Sequence, residues 1–510
     1  MTAKLKTPLY QPPPAFDALR MPLIGRLLRW RWGRLTLQTP LLLIALLLIY
    51  DGFSGSPMAS RNLATITPWV HFRGLAVLAL LLVGNLFCMG CPFTIPRTLA
   101  KRLSIRGRRF PRVLRNKWIA IGTLFALFFF YEWLDMWASP ALTAWVITAY
   151  FAASFVLEAA FTESAFCKYV CPLGSFNFTY SAVSPLQIQV KNSAICAACV
   201  GKECVNGSYS PQPVTLIDEI GIQGEPIKTH EHNSRGTPGC GTLLFAPQIQ
   251  SNMDCTMCLD CARACPHDNI GLFGRGFGAE LSRPKVWQNR YDISFLVIGL
   301  AWLGLVNAFG MVPPVYDLMQ SLAAAFGLTA LGLSDKLIEG VALLLIFMVG
   351  AGVIPLATTF AAAGLARMLT HTQKRDKLRL ALTHFAPIFV PIGMGFWIAH
   401  YGYHFLTGLW TIVPVFQEFL LNHRIGILGE PNWTLGGAPN LALIGAVQAA
   451  AVVIGYAASL WLTQKIALRL YRRQMLAGFA VWALLLTVLL LAGLWLFSQP
   501  MEMRGVVLFD

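Results

Sequence analysis

Residues 255–266 read Cys255-Thr-Met-Cys258-Leu-Asp-Cys261-Ala-Arg-Ala-Cys265-Pro266. The spacing, C-x2-C-x2-C-x3-C-P, is the ligand pattern of a bacterial-type [4Fe–4S] cluster. Three closely spaced thiols can wrap one cubane, and the fourth, ahead of a proline, typically reaches the neighbouring cluster in two-cluster ferredoxins. A structural zinc site asks for two CxxC pairs at longer spacing and has no use for the trailing Cys-Pro. The stretch predicts a small unit that moves electrons.

Working outward, the chain around this unit reads as a membrane protein. It has 510 residues, 56% hydrophobic and 13% charged, where a soluble chain carries about 25% charged residues. The apolar residues come in long blocks. Nine of them have the length of a span: 36–53, 69–88, 117–137, 141–162, 292–312, 338–362, 380–404, 441–463 and 477–498. The net charge of +16 lies in short runs between the blocks, where it sets topology rather than binding nucleic acid. No cleavable signal peptide is expected, because a basic tail precedes the first apolar run near Leu37. There is no CxxCH for c-type haem, no GxGxxG opening a βαβ unit and no Walker A loop.

Charge gives the orientation. Lys4, Lys6, Arg20, Arg26, Arg29, Arg31 and Arg34 crowd the N-terminal tail, and Arg97, Lys101, Arg102, Arg106, Arg108, Arg109, Arg112, Arg115 and Lys117 crowd the second connection. Connections 364–379 and 464–476 are basic too, whereas the alternate ones hold only Arg61, Lys336 and Arg424, and the C-terminal tail adds Arg504. With nine spans every basic segment falls on one side, which the positive-inside rule makes cytoplasmic, with the C-terminus outside. Residues 314–332 are apolar, but a span there would send the basic 364–379 loop outside. They are expected to form a surface or re-entrant helix. The expectation is an all-α polytopic membrane protein of about nine helices with a small α+β bacterial-ferredoxin-like insert, located in a bacterial inner membrane. Its parts are a basic tail (1–35), a four-helix region (36–162), the insert (163–290) and a five-helix region (291–510).

The polar insert holds ten of the twelve cysteines. Cys196, Cys199 and Cys204 form a half-motif, C-x2-C-x4-C, and Cys240 follows alone. Interleaving as in two-cluster ferredoxins pairs Cys196, Cys199 and Cys204 with Cys265, and Cys255, Cys258 and Cys261 with Cys240. The alternative is one cluster plus zinc or free thiols. Two further pairs, Cys88/Cys91-Pro92 and Cys167/Cys171-Pro172, end the second span and follow the fourth. Each pair shares one helical face and a proline stops the helix beyond it. They suit a metal site or a redox-active dithiol; otherwise they are four reduced, buried thiols.

C-x2-C-P and C-x3-C-P at helix ends, followed by a two-cluster insert, resemble the membrane polyferredoxins, which include NapH-, NosR- and CcoG-type proteins. Gly239-Cys240 and the run from Cys255 to Ile270 are most similar to FesM-type membrane iron–sulfur proteins. The resemblance covers roughly 69–290. It implies electron transfer through two [4Fe–4S] clusters between the quinone pool or a soluble donor and a partner redox protein, as a carrier or a quinone-linked oxidoreductase subunit. The flavin-linked domain of NosR-type proteins is missing, as is the C-terminal soluble domain of CcoG-type proteins. A second reading, from the CcoG-type relatives, is copper reduction or metallocentre assembly through the membrane-end cysteines.

Outside the resemblance, the seventh span carries His384, His400 and His404. Ionisable residues within a membrane are costly and usually functional. His400 and His404 share a face, and His384 lies roughly 24 Å away at about 1.5 Å per residue. The set suits b-type haem ligation, with His71 as the candidate partner near the same surface, or a quinone site with a proton relay; otherwise these are interfacial histidines bonded to neighbours. Glu132, Asp135 and Glu158 are among the few acids within spans, and His267 is expected to pack beside the cluster motif.

Overall fold

The structure, a computed structural model, describes residues 16–96, 108–208, 236–283, 287, 290–372, 377–436 and 439–501. Lys4, Lys6, Arg97, Lys101, Arg102, Arg106 and Arg504, used above for orientation, lie outside them. The main helices are α1 (Gly33–Ser54), α2 (Leu63–Gly90), α3 (Trp118–Trp133), α4 (Pro140–Ala160), α5 (Pro172–Tyr180), α6 (Tyr291–Phe309), α7 (Pro314–Ala325), α8 (Asp335–Leu369), α9 (Leu378–Thr407), α10 (Leu441–Tyr471) and α11 (Met475–Ser498).

Among the described residues, seven helical stretches are long and apolar enough to cross a membrane: α1, α2, α4, α6, α8, α9 and the run Leu441–Ser498. In that last run the helix breaks at Arg472, whose φ is 46°, separating α10 from α11. Helix α3 has 16 residues, about 24 Å at 1.5 Å each, short of a hydrocarbon core of ~30 Å. Helix α7 has 12 residues and buries Val315, Met319 and Ala323 along one face. At about 18 Å it is too short to cross, which is compatible with either the surface or the re-entrant helix expected there.

Two helices form the centre. In α9 and α6, 89% and 78% of the apolar stretch is buried, against 22–33% for the peripheral ones. Helix α9 contains Pro387 and Pro391, which interrupt its hydrogen bonding. Ser459 of α10 repairs the gap: its hydroxyl donates to Ile388 O at 2.6 Å and accepts from Ile392 N at 3.1 Å. The backbones meet closely there. A Cβ on Gly395 would stand 2.7 Å from Ala451 O, and one on Gly455 2.6 Å from Pro391 O, the small-residue contact that lets membrane helices pack. Trp397, fully buried, donates to the Tyr180 hydroxyl at 2.9 Å and packs on Phe128 and Phe176.

The insert contains a two-stranded antiparallel sheet, β1 (Leu186–Val190) with β2 (Ile270–Gly274), in the register Leu186↔Gly274 to Val190↔Ile270. The N-terminal segment clips onto it, the Asp17 carboxylate accepting from Leu19 N at 3.0 Å and Leu272 N at 3.1 Å. A buried polar knot ties the insert to α5. Arg275 pairs with Glu280 at 2.8 Å and donates to Gln187 Oε1 and to the carbonyls of Ser181, Ala182 and Ser184. Glu280 also accepts from Asn252 N at 2.9 Å. The insert sits against the basic helix ends: Arg29–Asp268, Arg34–Asp260 and Lys117–Asp254 are ion pairs, and Arg469 donates to Ser282 O.

Glu280→Ala leaves Arg275 buried without its counter-charge and is expected to destabilise the insert by about 3–5 kcal/mol. Thermal unfolding in detergent, with proteolysis of the insert as a second readout, checks this. The double variant Arg275→Met/Glu280→Leu is expected to lose much less.

Candidate functional site

The structure sorts eight of the ten insert cysteines, Cys196 to Cys265, into two sets. Helix Ser193–Ala198, capped by the Asn192 side chain on Ala194 N, carries Cys196. Cys199 ends that helix in an extended conformation, and Lys202, at φ 49°, turns the chain so that Cys204 faces back. Cys265 ends the short helix Asp260–Ala264. These four thiols line one cavity together with Phe245 and Ile270. Cys265 interacts electrostatically with each of the other three, and Asn269 Nδ2 donates to Cys196 Sγ at 3.1 Å.

The second set is more deeply buried. Met257 and Leu259 both adopt positive φ, 47° and 61°, which turns Cys255, Cys258 and Cys261 toward one region. Cys240 interacts electrostatically with all three and accepts Leu244 N at 3.3 Å. Backbone N–H groups of Met257 and Asp260 point at Cys255 and Cys258. Burial raises the thiols of both three-cysteine groups, Cys258 to about 11. A thiol in such surroundings stays neutral unless a metal displaces its proton. Cys265 and Cys261 share one short helix, so the two sets are joined through it. His267 borders the first cavity.

Among the described residues, no group of three or more His, Cys, Asp or Glu side chains converges on a metal-ion position. A cubane makes a different demand. Its thiolates attach to separate irons around a cage, so they encircle a volume rather than meet at a point. Four thiols lining one cavity, Cys196, Cys199, Cys204 and Cys265, fit that demand in the first set.

At the membrane end, Cys88 lies in the tight turn Gly84–Gly90 and Cys167 in the π-turn Phe166–Val170. Cys91 and Cys171 take nearly the same conformation, φ −60°, ψ 118° and φ −63°, ψ 116°, and each precedes a proline that opens a helix. Cys88 interacts electrostatically with Cys91, Cys171 and Cys255. Its sulfur faces Asn177 Nδ2 at 3.5 Å.

The histidines divide. His400 and His404 are buried, with rings 5.0 Å apart. His400 Nε2 lies 3.3 Å from Met311 Sδ. Neither ring nitrogen of His404 has a hydrogen-bond partner. His71 faces main-chain carbonyls with both nitrogens, Ile66 O and Leu409 O at 3.2 Å each. His384 ends the segment Leu378–Phe385, beyond the proline break in α9 and apart from the other pair. Glu132 is buried and accepts from Asn307 Nδ2 at 2.8 Å. Asp135 pairs with Lys336 at 2.7 Å, and Glu158 is buried on α4.

Sequence reading passed over Arg73. Its guanidinium stacks on Trp69, Tyr131 and Tyr401 at 5.2, 4.9 and 4.7 Å and donates to Tyr131 Oη at 2.9 Å. It interacts electrostatically with both His400 and His404. A lone cation inside an apolar run was the available signal. Neighbouring rings form a column through the protein: Tyr180–Phe176, Phe176–Trp397, Trp397–Tyr401, Tyr401–His400 and His400–His404, each at 4.8–5.1 Å.

An unsatisfied buried polar group costs about 1–3 kcal/mol. His404→Leu is therefore expected to raise thermal stability in detergent while removing whatever His404 recognises; a stability loss like that of an ordinary core truncation would show that the ring is simply well packed.

No family model matches the chain, and no curated protein or solved structure matches it.

Proposed function

We propose that this is a membrane-bound electron-transfer protein of the polyferredoxin kind, passing single electrons through two [4Fe–4S] clusters between a quinone and a soluble redox protein. The observation that carries the reading is the sorting of eight thiols into two sets of four, with Cys240 and Cys265 each crossing to the other half-motif. Cys196, Cys199, Cys204 and Cys265 would hold one cluster, and Cys255, Cys258, Cys261 and Cys240 the other. The clusters supply one-electron chemistry. The chain's own part is to exclude water, to aim N–H groups at sulfur and to fix the spacing between the sets.

The first set lies nearer solvent, with Cys196, Cys199 and Cys265 all partly exposed, which suits exchange with a soluble partner. The region around Arg73, His400 and His404 suits a quinone headgroup: Arg73 supplies positive charge, and His404 offers a ring nitrogen to a quinone oxygen as acceptor or donor. The ring column joins this region to α5, which begins directly after Cys171.

Counting α3 and treating α10 and α11 separately gives nine spans, with the N-terminus and the insert in the cytoplasm and the C-terminus outside. The basic helix ends gathered against the insert support that orientation.

Anaerobically purified protein is expected to contain at least about eight iron and eight acid-labile sulfide, with electron paramagnetic resonance signals from two reduced cubanes. Iron near four would remove the 196–204 set from the reading. Quinol should reduce the clusters in liposomes, and His404→Ala should abolish this while leaving the insert's iron in place. A b-type haem band in the reduced-minus-oxidised spectrum would replace quinone by haem. Reporter fusions at Lys285, Lys374 and Asp510 should read inside, inside and outside.

A further inference from the structure

We infer that Cys88, Cys91, Cys167 and Cys171 ligate a third iron–sulfur cluster, where the membrane helices meet the insert. The inference rests on the electron-transfer reading for its purpose, but its ligand set stands on separate observations.

The first observation is a repeated piece of backbone. Cys91-Pro92 and Cys171-Pro172 are two elbows with matching φ and ψ, each opening a new helical turn. At Cys171 the sulfur accepts from Gly174 N at 3.2 Å, with Leu173 N–H beside it. At Cys91 the N–H groups of Phe93 and Thr94 lie toward the sulfur, with no cap hydrogen bond formed. A thiol packed as a small hydrophobe gains little from two converging N–H donors; a thiolate gains much. The insert uses the same device, with Met257 N–H aimed at Cys255 and Asp260 N–H at Cys258.

The second observation is convergence. Cys88 interacts with Cys91 on its own turn and with Cys171 on the other elbow, and Cys171 with Cys91, so these three thiols meet between α2 and α5. Cys167 precedes Cys171 within one π-turn, a feature that recurs at functional sites.

The third observation is the surroundings. Arg34 interacts with Cys91, and the buried Lys117 with Cys171, so cations that also pair with Asp260 and Asp254 border the sulfurs. Asn177 Nδ2 faces Cys88 Sγ at 3.5 Å. The Tyr150 hydroxyl is buried with no hydrogen-bond partner and interacts with both Cys91 and Cys171. A cluster's sulfide or thiolate sulfur would give it an acceptor.

The position completes a line. Asn85, three residues before Cys88, donates to Cys255 O at 2.8 Å, and Cys88 itself interacts with Cys255. The third cluster would lie between the Cys255 set and the membrane interior, and the Cys196 set beyond it toward solvent.

The test is metal stoichiometry on full-length protein, purified anaerobically in detergent. Wild type is expected to hold about twelve iron and twelve sulfide, four of each per cubane. Cys88→Ser/Cys171→Ser should lose a third of both while retaining two cubane signals, with its gel-filtration profile and circular dichroism unchanged. Wild-type iron near eight, iron unchanged in this variant, or copper or zinc at these thiols in place of iron would each overturn the inference. If the variant does not fold, the wild-type count decides. Cys196→Ser/Cys199→Ser and Cys255→Ser/Cys258→Ser should each lose about four iron. If they do and the membrane-end variant does not, the third cluster alone falls; if neither loses iron, the electron-transfer reading falls with it.

Discussion

The buried pair Arg275–Glu280 governs how the two halves of this protein meet. Arg275 reaches the carbonyls that close α5 and precede β1, and Glu280 holds the turn that leads into Cys255. A buried ion pair adds little net stability against a well-packed apolar alternative. Its value is positional, because both partners must be satisfied together and only one arrangement does so. That arrangement sets the cysteine run of 255–265 against the turn that holds Cys88.

A second clamp works beside the first. Arg34 of α1 pairs with Asp260 and donates to Thr94, while Gln38 donates to Cys91 O and to Thr94. Asp260 also receives Arg263, which reaches Cys258 O and Leu28 O. One helix end thus holds the Cys91 elbow and the Cys258 loop at once. Such networks fix geometry when every member is paired.

The cysteine half-motifs were legible in the sequence because their spacing is local, and Cys196, Cys199, Cys204 and Cys265 do line one cavity. The long apolar helices were legible for the same reason, since lipid demands length and composition of each span separately. What depended on packing was not legible. The weight of Arg73 comes from rings on α2, α3 and α9, brought together only by folding. The contact of His71 with the Leu409 carbonyl, far away in sequence, likewise appears only in the fold. The equivalence of the two Cys-Pro elbows lay in matching dihedral angles, which differing spacings of three and four residues concealed.

Around the cysteines the backbone is bent against its own preference. Lys202, Asp254, Met257 and Leu259 all hold positive φ, from 47° to 65°, a conformation that costs a residue with a Cβ roughly 1–2 kcal/mol. The loops that present the thiols are therefore loaded springs. A group bridging the thiols, as proposed, would keep them wound; without one, the chain would gain by letting go. Loss of such a group, to oxygen for instance, would then erase the shape that receives it, and a damaged molecule would be a substrate for turnover rather than for simple reloading. Assembly would have to catch these loops early, before the unpaired thiols have drifted apart.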